Sequence, residues 1–359
     1  MIRSLMALAL LLLPALARAE APAADQRLIL VTMDGTRWQD VFRGPDKALV
    51  DDKRFTHPDM KDVIEKAWIS GPGAKKGAAG GALMPFLHSL PAKGGILVGN
   101  RDEAQCMAVT NAMWFSYPGY NEIFTGRADP AITSNDKVLN RNVTFFEWLA
   151  RRPGFVGKVL AFGNWDVFPF IINDQRSGVP VNPGFAGRYP TETLTMRAAL
   201  DALRVQKPRV LYVGLGDTDE FAHMGRYDDT LSAMNRNDDF LAELWRLVEA
   251  DPAYRGKTTL IVTTDHGRGS APGAAWTEHG SAESVRLDPA GFTIPDPAGF
   301  PGSEQIWFAA IGPGVHDAPL GSACLGQNQI AASALTALGE DWQAFDAGAG
   351  APLPFFTGR

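Results

Sequence analysis

Short runs of consecutive apolar residues, many of them β-branched, are the feature that most limits how this chain can fold. Such a run is typical of a central strand covered on both faces, and six of them recur along the sequence. Helix-like stretches lie between the runs, which predicts right-handed βαβ units and an α/β fold with a mostly parallel central sheet flanked by helices on both faces. The predicted strands are Arg27 to Met33, Gly95 to Gly99, Lys158 to Phe162, Arg209 to Leu215, Thr258 to Thr264 and Ile306 to Ile311. The predicted helices are Thr144 to Arg152, Thr191 to Gln206, Tyr227 to Glu249 and Gln327 to Leu338.

Residues 1–19 have the pattern of a secretory signal peptide. Arg3 supplies the positive start, Leu5 to Leu13 the apolar run, and Ala17-Arg18-Ala19 a small-x-small cleavage site. The apolar run is shorter than the ~20 residues that a membrane span needs. We therefore expect export to the periplasm or the medium, with no stable membrane anchor.

Two stretches interrupt the alternation of strands and helices. Gly71 to Gly81 is rich in glycine and alanine and predicts a mobile loop or lid, and Asp288 to Gly302 predicts an irregular excursion before the last strand. Neither stretch separates repeating units. Residues 20–359 are therefore expected to form a single domain.

The charge of the chain restricts its partners. The net charge of −6 becomes −8 without the signal peptide, because two arginines leave and all acids remain (32 − 40). Such a surface repels a nucleic-acid polymer, whereas a small anionic ligand is allowed at a site with its own positive charge, such as a metal pair. The two cysteines, Cys106 and Cys324, are too few for a cysteine-type zinc site. They can form a disulfide after export only if the fold brings them close.

Acidic and imidazole side chains follow three of the predicted strands. Taken singly, each suits a turn or a helix cap, and Asp217 is an alternative carboxylate beside one of them. Because ligands of open α/β sheets bind at the carboxyl ends of the strands, together they predict a metal site there. They are Asp34 after the first strand, Asp219 and His223 after the strand ending at Leu215, and Asp265, His266 and His279 after the strand ending at Thr264.

A serine lies at the predicted start of a helix. Pro118 suits a first helical turn and Gly126 suits the position after the last one. Ser116 would then lie at or just before the helix N-terminus, where the dipole and free N–H groups favour an anion. The alternative is that Ser116 only caps the helix.

Taken together, these residues resemble the alkaline phosphatase superfamily, and most of all its nucleotide pyrophosphatase/phosphodiesterase branch. The shared order is D-G-x-R after the first strand, S/T-aromatic-P at a helix that ends in T-G, then D-x-x-(small)-H, D-H-G and H-G. This series of motifs extends from Asp34 to Gly280. The resemblance implies an alkaline phosphatase-like three-layer sandwich in one catalytic domain.

The resemblance also implies two metal sites and a metal-bound nucleophile. The first site would use Asp34, Ser116, Asp265 and His266, and the second Asp219, His223 and His279. Ser116 would be the nucleophile, and Asn135, with Asn121 as the alternative, would contact a phosphoryl oxygen. Arg37 and Asn121 are candidates for substrate binding, and Lys75, Lys76 and Trp114 are further candidates for contact with the substrate. Carboxylate and imidazole ligands suit zinc first, with manganese as the second choice.

Three positions depart from the family pattern. Ser116 stands where the diesterases usually carry threonine, Ala222 replaces a glycine, and Gly119-Tyr120 replaces the usual Asn-His. The preference for phosphate monoesters or diesters therefore stays open.

The expected activity is hydrolysis of small anionic phosphate esters through a phosphoseryl intermediate, with a loss of activity as the pH falls through ~6 and histidines become protonated. A sulfatase is the alternative enzyme, but its C/S-x-P-x-R motif needs arginine where Tyr120 stands. A non-catalytic periplasmic protein that binds a phospho-ligand is the alternative from another class.

Overall fold

The computed structural model describes residues 25–71, 79–184 and 192–357. The predicted signal peptide, Lys75 and Lys76 lie outside the described residues. Among the helices of the described part, none is both long and apolar enough to cross a membrane.

A seven-stranded sheet lies at the centre of the fold. Its strand order is β2-β8-β7-β1-β6-β4-β5, and β8 runs antiparallel to its neighbours β7 and β2 while the other pairs are parallel. All six predicted strands occur within two residues of their predicted bounds. The strands are β1 (Arg27–Met33), β2 (Ile96–Val98), β3 (Met107–Ala108), β4 (Val159–Gly163), β5 (Val181–Asn182), β6 (Val210–Leu215), β7 (Thr258–Thr263), β8 (Phe308–Ile311) and β9 (Leu325–Gly326).

Helices connect the strands, and the four predicted ones occur close to their predicted bounds. The α-helices are α1 (Trp38–Arg43), α2 (Lys47–Asp51), α3 (Pro58–Ile64), α4 (Ala79–Leu83), α5 (Pro85–Ser89), α6 (Ser116–Thr125), α7 (Phe145–Ala150), α8 (Phe168–Ile172), α9 (Asp174–Ser177), α10 (Glu192–Val205), α11 (Asp217–His223), α12 (Tyr227–Ala250), α13 (Ala282–Leu287), α14 (Ile330–Ala337) and α15 (Trp342–Asp346). A π-helical turn spans Glu65–Ile69, and 3-10 turns span Pro91–Lys93, Arg101–Glu103, Ala274–Thr277, Pro289–Gly291 and Gln327–Gln329.

The two irregular stretches have different outcomes. The predicted loop from Gly71 to Gly81 is described only at its ends, and α4 already begins at Ala79. The excursion from Asp288 to Gly302 is confirmed as irregular, since its only helical part is the 3-10 turn Pro289–Gly291.

The core has two halves, one on each face of the sheet. Alternate residues of β1 point to opposite faces, so Ile29 and Val31 belong to one cluster and Leu28 and Leu30 to the other. Buried residues of α10 and α12 complete the first cluster, and those of α6, α7 and α14 complete the second. The expected arrangement of a sheet between two helical layers is therefore confirmed.

A disulfide joins Cys106 to Cys324, which settles the question that the sequence left open. The bridge stands at the edge of a small two-stranded sheet in which β3 and β9 pair in parallel. Leu325 N also donates to Cys106 O over 2.9 Å. The disulfide thus fixes a contact between segments 218 residues apart.

Candidate functional site

The acidic and imidazole residues meet because their strands are neighbours. β1 lies between β6 and β7 in the sheet, so the carboxyl ends of these three parallel strands are side by side. Asp34 follows β1 directly, and its N–H donates to Leu215 O at the end of β6 over 2.8 Å. Asp219 and His223 lie on α11, which begins two residues after β6, and Asp265 lies just past β7.

The first group of side chains consists of Asp34, Asp265 and His266, with potential ligand atoms within 4.8 Å of one another. His266 Nε2 lies 3.4 Å from Asp34 Oδ1 and 3.4 Å from Asp265 Oδ2. Those two carboxylate oxygens are buried and have no hydrogen-bond partner among the described residues. Because a buried polar atom without a partner is costly, the two oxygens and the imidazole nitrogen fit a cation.

Each carboxylate of this group uses its other oxygen to bind the protein. Asp34 Oδ2 accepts a hydrogen bond from the Tyr120 hydroxyl over 2.8 Å. Asp265 Oδ1 accepts one from Gly35 N over 3.1 Å. Each aspartate is therefore held in place by one oxygen and leaves the other free for a ligand.

Ser116 stands directly beside this group. Its Oγ lies 3.3 Å from His266 Nε2. Ser116 is the first residue of α6, after Phe115 in extended conformation, and is only 5% exposed. The predicted position at a helix N-terminus is confirmed. The positive end of the helix dipole therefore lies where an anion would meet the hydroxyl.

A second group adjoins the first through His266, and consists of Asp219, His266 and His279. The rings of His266 and His279 have centroids 3.9 Å apart, and His279 Nε2 lies 3.6 Å from Asp219 Oδ1. His223 Nε2 lies 3.2 Å from Asp219 Oδ2 and 3.0 Å from His279 Nε2. Burial, reinforced by His266, lowers the pKa of His279 well below its usual value, so its imidazole is neutral and has a lone pair to donate.

Arg268 is a member of the site that the sequence analysis did not identify. It is 2% exposed and forms an ion pair with Asp219. Its Nε donates to Trp276 O over 2.7 Å and its Nη2 to Thr277 O over 2.6 Å. Its place in Asp-His-Gly-Arg, two residues after His266, was the available signal.

Gly35 makes room for this ion pair. A Cβ on Gly35 would overlap Asp219 Oδ1 and lie 2.7 Å from Arg268 Nη1. The residue also has a φ of 57°, in the left-handed region that favours glycine. The D-G-x-R turn after β1 therefore needs its glycine for close approach as well as for conformation.

Burial and charge determine how the site binds protons. Burial alone would lower the pKa of His266, but the neighbouring carboxylates of Asp265, Asp34 and Asp219 raise it to about 9. Burial and the charge of Asp34 raise the pKa of Asp265 well above its usual value. Burial would also raise the pKa of Asp219, but Arg268 and the neighbouring histidines hold it well below its usual value. The raised pKa values of Asp265 and His266 mean that the metal-free site favours bound protons, and the same surroundings favour a cation.

The remaining candidate residues differ in where they lie. Asn135 Oδ1 accepts a hydrogen bond from Tyr117 N over 2.9 Å, which places the amide next to Ser116. Asn121 is fully buried, and its amide bonds to Arg127 O and to the side chains of two other asparagines. Arg37 is also buried, in a two-pronged ion pair with Asp40 at 2.8 and 2.7 Å. The structure thus places Asn135 next to Ser116, the candidate nucleophile, whereas the polar groups of Asn121 and Arg37 are engaged elsewhere.

Two further residues that the sequence proposed, Asp217 and Trp114, have well-defined contacts in the structure. Asp217 accepts a hydrogen bond from Asn164 over 3.1 Å and lies 3.5 Å from Arg236, and Asp219 is the one that joins the histidines. Trp114 is half-buried two residues before Ser116 and has a φ of 61°. The Asn111 side chain accepts hydrogen bonds from the backbone N–H groups of Met113 and Trp114, which stabilises this left-handed conformation.

The described residues therefore contain a donor set that fits one or two divalent cations. The six candidate side chains present carboxylate oxygens and imidazole nitrogens, which suit zinc and, less well, manganese. The candidate ligands are Asp34, Asp219, His223, Asp265, His266 and His279.

The chain matches the model of a known protein family. Residues 97–281, just over half of the 359-residue chain, match the family model described as type I phosphodiesterase/nucleotide pyrophosphatase. The matched region extends from β2 past His279 and includes Ser116. No curated protein matches the chain significantly in sequence.

Solved structures share the fold at low sequence identity. The wild-type alkaline phosphatase PafA superposes with a TM-score of 0.54 and 11% identity over 92% of this chain and 99% of that one. The C-terminal periplasmic domain of EcEptC from Escherichia coli gives 0.53 and 12%, over 92% and 87%. A 2-O GAG sulfatase gives 0.53 and 10%, over 88% and 71%. These likenesses show the alkaline phosphatase-like fold.

Proposed function

The chain belongs to the type I phosphodiesterase/nucleotide pyrophosphatase family, and we propose that it is an exported, metal-dependent hydrolase of small anionic phosphate esters that acts through Ser116. Family membership supports the reaction class, the hydrolysis of phosphate esters. The two-metal site, the phosphoseryl intermediate and the exported location are the finer parts of the proposal.

One observation carries the proposal. Ser116 Oγ lies 3.3 Å from His266 Nε2, and the same nitrogen lies 3.4 Å from the open oxygens of Asp34 and Asp265. A serine that only capped its helix would be the N-cap residue and accept a hydrogen bond from an N–H of the first turn, but Ser116 is the first helical residue and Tyr117 N donates to Asn135 Oδ1. The hydroxyl instead faces a group of cation ligands.

The residues of the chain have distinct roles in the proposed reaction. Ser116 Oγ attacks phosphorus, the new Oγ–P bond forms, and the bond from phosphorus to the leaving oxygen breaks. Water then attacks the phosphoseryl group, the Oγ–P bond breaks and phosphate or a monoester leaves. When bound, the two cations supply charge that lowers the pKa of the serine hydroxyl and stabilises the leaving oxygen.

Two other parts of the site orient the substrate. The N-terminus of α6 presents the positive end of its dipole to the phosphoryl oxygens, and the Asn135 side chain, which accepts a hydrogen bond from Tyr117 N, stands beside it. Because Asn135 Oδ1 accepts from Tyr117 N, its Nδ2 is the atom that would donate to an oxygen of the substrate. Asn135 is therefore retained in the proposal, and Asn121 is not.

The position and the hydrogen bond of Tyr120 argue against the sulfatase alternative. Tyr120 occupies the position of the arginine in the C/S-x-P-x-R motif, and its hydroxyl is committed to Asp34. The similarity to a sulfatase structure concerns the fold alone. Phosphate esters therefore remain the proposed substrates.

The proposed location follows from two observations of different kinds. The N-terminal sequence has the signal-peptide pattern, and the Cys106–Cys324 disulfide suits an oxidising compartment such as the periplasm. We expect zinc as the native cation, with manganese as the competitor.

The test uses purified mature protein with its zinc content measured. Aryl phosphate, bis-aryl phosphate and aryl sulfate are assayed side by side, before and after chelation and after zinc is restored. Turnover of a phosphate ester should exceed that of the sulfate, disappear on chelation and return with zinc. Acid quenching during turnover, followed by mass spectrometry, should find a phosphoryl group on Ser116, which keeps one aryl group when the substrate is the diester.

Matched serine variants complete the test. Ser116→Ala should lose roughly a thousandfold or more in kcat while it keeps its zinc, since it removes the nucleophile. Ser232→Ala, which removes a hydroxyl that donates to Asp228 O within α12, should retain wild-type turnover. Faster turnover of aryl sulfate, or full activity of Ser116→Ala, would refute the proposal.

A further inference from the structure

The Gly119-Tyr120 pair, which departs from the family pattern, lies inside the site. Ser116 is the first residue of α6 and Tyr120 follows four residues later, so both side chains lie on the same face of the helix. Tyr120 is fully buried, and its hydroxyl donates to Asp34 Oδ2 over 2.8 Å. One helix therefore carries the candidate nucleophile and a direct support for a candidate metal ligand.

This hydrogen bond determines which oxygen of Asp34 is free. Oδ2 is occupied by the phenol, whereas Oδ1 is buried without a partner among the described residues and lies 3.4 Å from His266 Nε2. We propose that Tyr120 is the positioning residue of the first metal site, where its hydroxyl fixes Asp34 as a one-oxygen ligand directed towards His266. The inference rests on the proposed function in that it takes Asp34 to be a metal ligand.

Gly119 allows the helix to come close enough for this contact. A Cβ at position 119 would lie 2.5 Å from Asp265 O and 3.3 Å from Asp265 Cβ. Any larger residue would push α6 away from the end of β7. The glycine and the tyrosine therefore act as a pair, since the first sets the distance of the helix and the second spans it to Asp34.

The phenol ring is held by packing, independently of the hydrogen bond. Its centroid lies 4.9 Å from that of Phe168 in an edge-on arrangement and 5.9 Å from that of Phe124. A ring fixed in this way presents its hydroxyl in one direction, which is the requirement for a group that orients a ligand. The phenol is also a neutral donor, so it orients Asp34 without neutralising its charge. Arg268, by contrast, compensates the charge of Asp219.

The test is Tyr120→Phe, which keeps the ring and removes only the hydroxyl. Affinity for zinc, measured by competition with a chelator, should fall roughly 10- to 100-fold for one of the two sites, as is typical when a group that orients a metal ligand is lost. The absorption spectrum of the cobalt-substituted protein should change, because Asp34 gains a second free oxygen. The kcat should fall with little change in KM.

Tyr254→Phe is the matched control. Tyr254 is 1% exposed, and its hydroxyl also donates to an oxygen acceptor, Leu203 O, over 3.1 Å, but its ring lies beside Arg27 at the start of β1, whereas the site lies past the end of that strand. This variant should keep wild-type zinc affinity, cobalt spectrum and kcat. Wild-type zinc affinity and an unchanged cobalt spectrum in Tyr120→Phe would overturn the proposal.

A second measurement covers the case in which Tyr120→Phe does not fold. Zinc added to metal-free wild-type protein should shift a tyrosine band in the near-ultraviolet difference spectrum. The reason is that the cation withdraws electron density from the Asp34 carboxylate, which accepts the hydrogen bond of the Tyr120 hydroxyl. Zinc binding without a tyrosine signal would overturn the proposal. Both readouts are independent of turnover, so an inactive wild-type protein that shows them would refute the proposed function and leave the role of Tyr120 intact.

Discussion

Replacing Arg268 by methionine should destabilise the protein far more without zinc than with it. Arg268 is 2% exposed, and its guanidinium makes an ion pair with Asp219 and donates to Trp276 O and Thr277 O. Methionine has a similar length but no charge and no donor. The substitution therefore leaves Asp219 without its cation and two carbonyl groups without their partners.

The loss in metal-free protein follows from the uncompensated charge. Breaking a buried ion pair by removing one partner costs about 3–5 kcal/mol of the free energy of unfolding, because the other charge stays buried. The two carbonyl oxygens are part of that loss. The negative charge of Asp34 near the same cluster places the result towards the upper end of this range.

With zinc bound, the cation takes over the compensation of Asp219. Only the two carbonyl groups then lack their donors, which costs roughly 1–3 kcal/mol. By thermodynamic linkage, the difference of roughly 2 kcal/mol must appear as tighter zinc binding by the variant, about 30-fold. The arginine is thus expected to lower the affinity of the second metal site while it stabilises the metal-free fold.

The assay is urea unfolding of wild type and variant, each with a chelator and with saturating zinc, together with a zinc titration. Arg37→Met is the matched control, because Arg37 is equally buried but pairs with Asp40, away from the candidate ligands. Its loss of stability should be the same with and without zinc. An Arg268→Met variant that loses equal stability in both conditions, or binds zinc more weakly than wild type, would show that the argument is wrong.

Two further predictions concern stability away from the metal cluster. Replacing both Cys106 and Cys324 by serine should lower the free energy of unfolding by up to about 5 kcal/mol, the value that loop entropy gives for a separation of 218 residues. The zinc content should not change. An unchanged midpoint of urea unfolding would contradict this prediction. Burial raises the pKa of Asp238 to about 6, although its carboxylate accepts hydrogen bonds from Phe86 N and Leu87 N. Because this folded-state pKa lies above the unfolded value of about 3.9, protonation stabilises the fold at low pH and that contribution is lost as the pH rises through 6. Relative to Asp238→Asn, the metal-free wild-type protein should lose roughly 1 kcal/mol of stability between about pH 5 and pH 7, and parallel pH profiles in urea unfolding would contradict the sign.

The sequence predicted the sheet because strand formation here depends on local pattern. The run Arg27–Met33 is apolar at most of its positions, as is typical of a strand covered on both faces. The alternation of such runs with helices then indicates parallel connections between the strands. The antiparallel direction of β8 was not predictable in this way. It depends on the path of the irregular segment before it, where no periodic pattern exists.

The sequence also identified the candidate ligands, because each follows a strand and the carboxyl ends of parallel strands share one edge. It could not identify Arg268 or the role of Tyr120. Both depend on a contact between distant segments, Arg268 with Asp219 and Tyr120 with Asp34, and no local pattern records such a distance. For the same reason the sequence proposed Arg37 and Asn121 for the site, whereas their partners in the fold lie elsewhere.

The sequence by itself therefore determined the α/β architecture and the residue types that gather at one edge of the sheet, since both follow from periodicity and chain order. Only the tertiary structure decided which oxygen of each carboxylate is free, which positive charge compensates Asp219, and that Cys106 meets Cys324. These features depend on side-chain directions and on distances of a few ångströms between segments far apart in sequence. Packing of the whole chain fixes such distances.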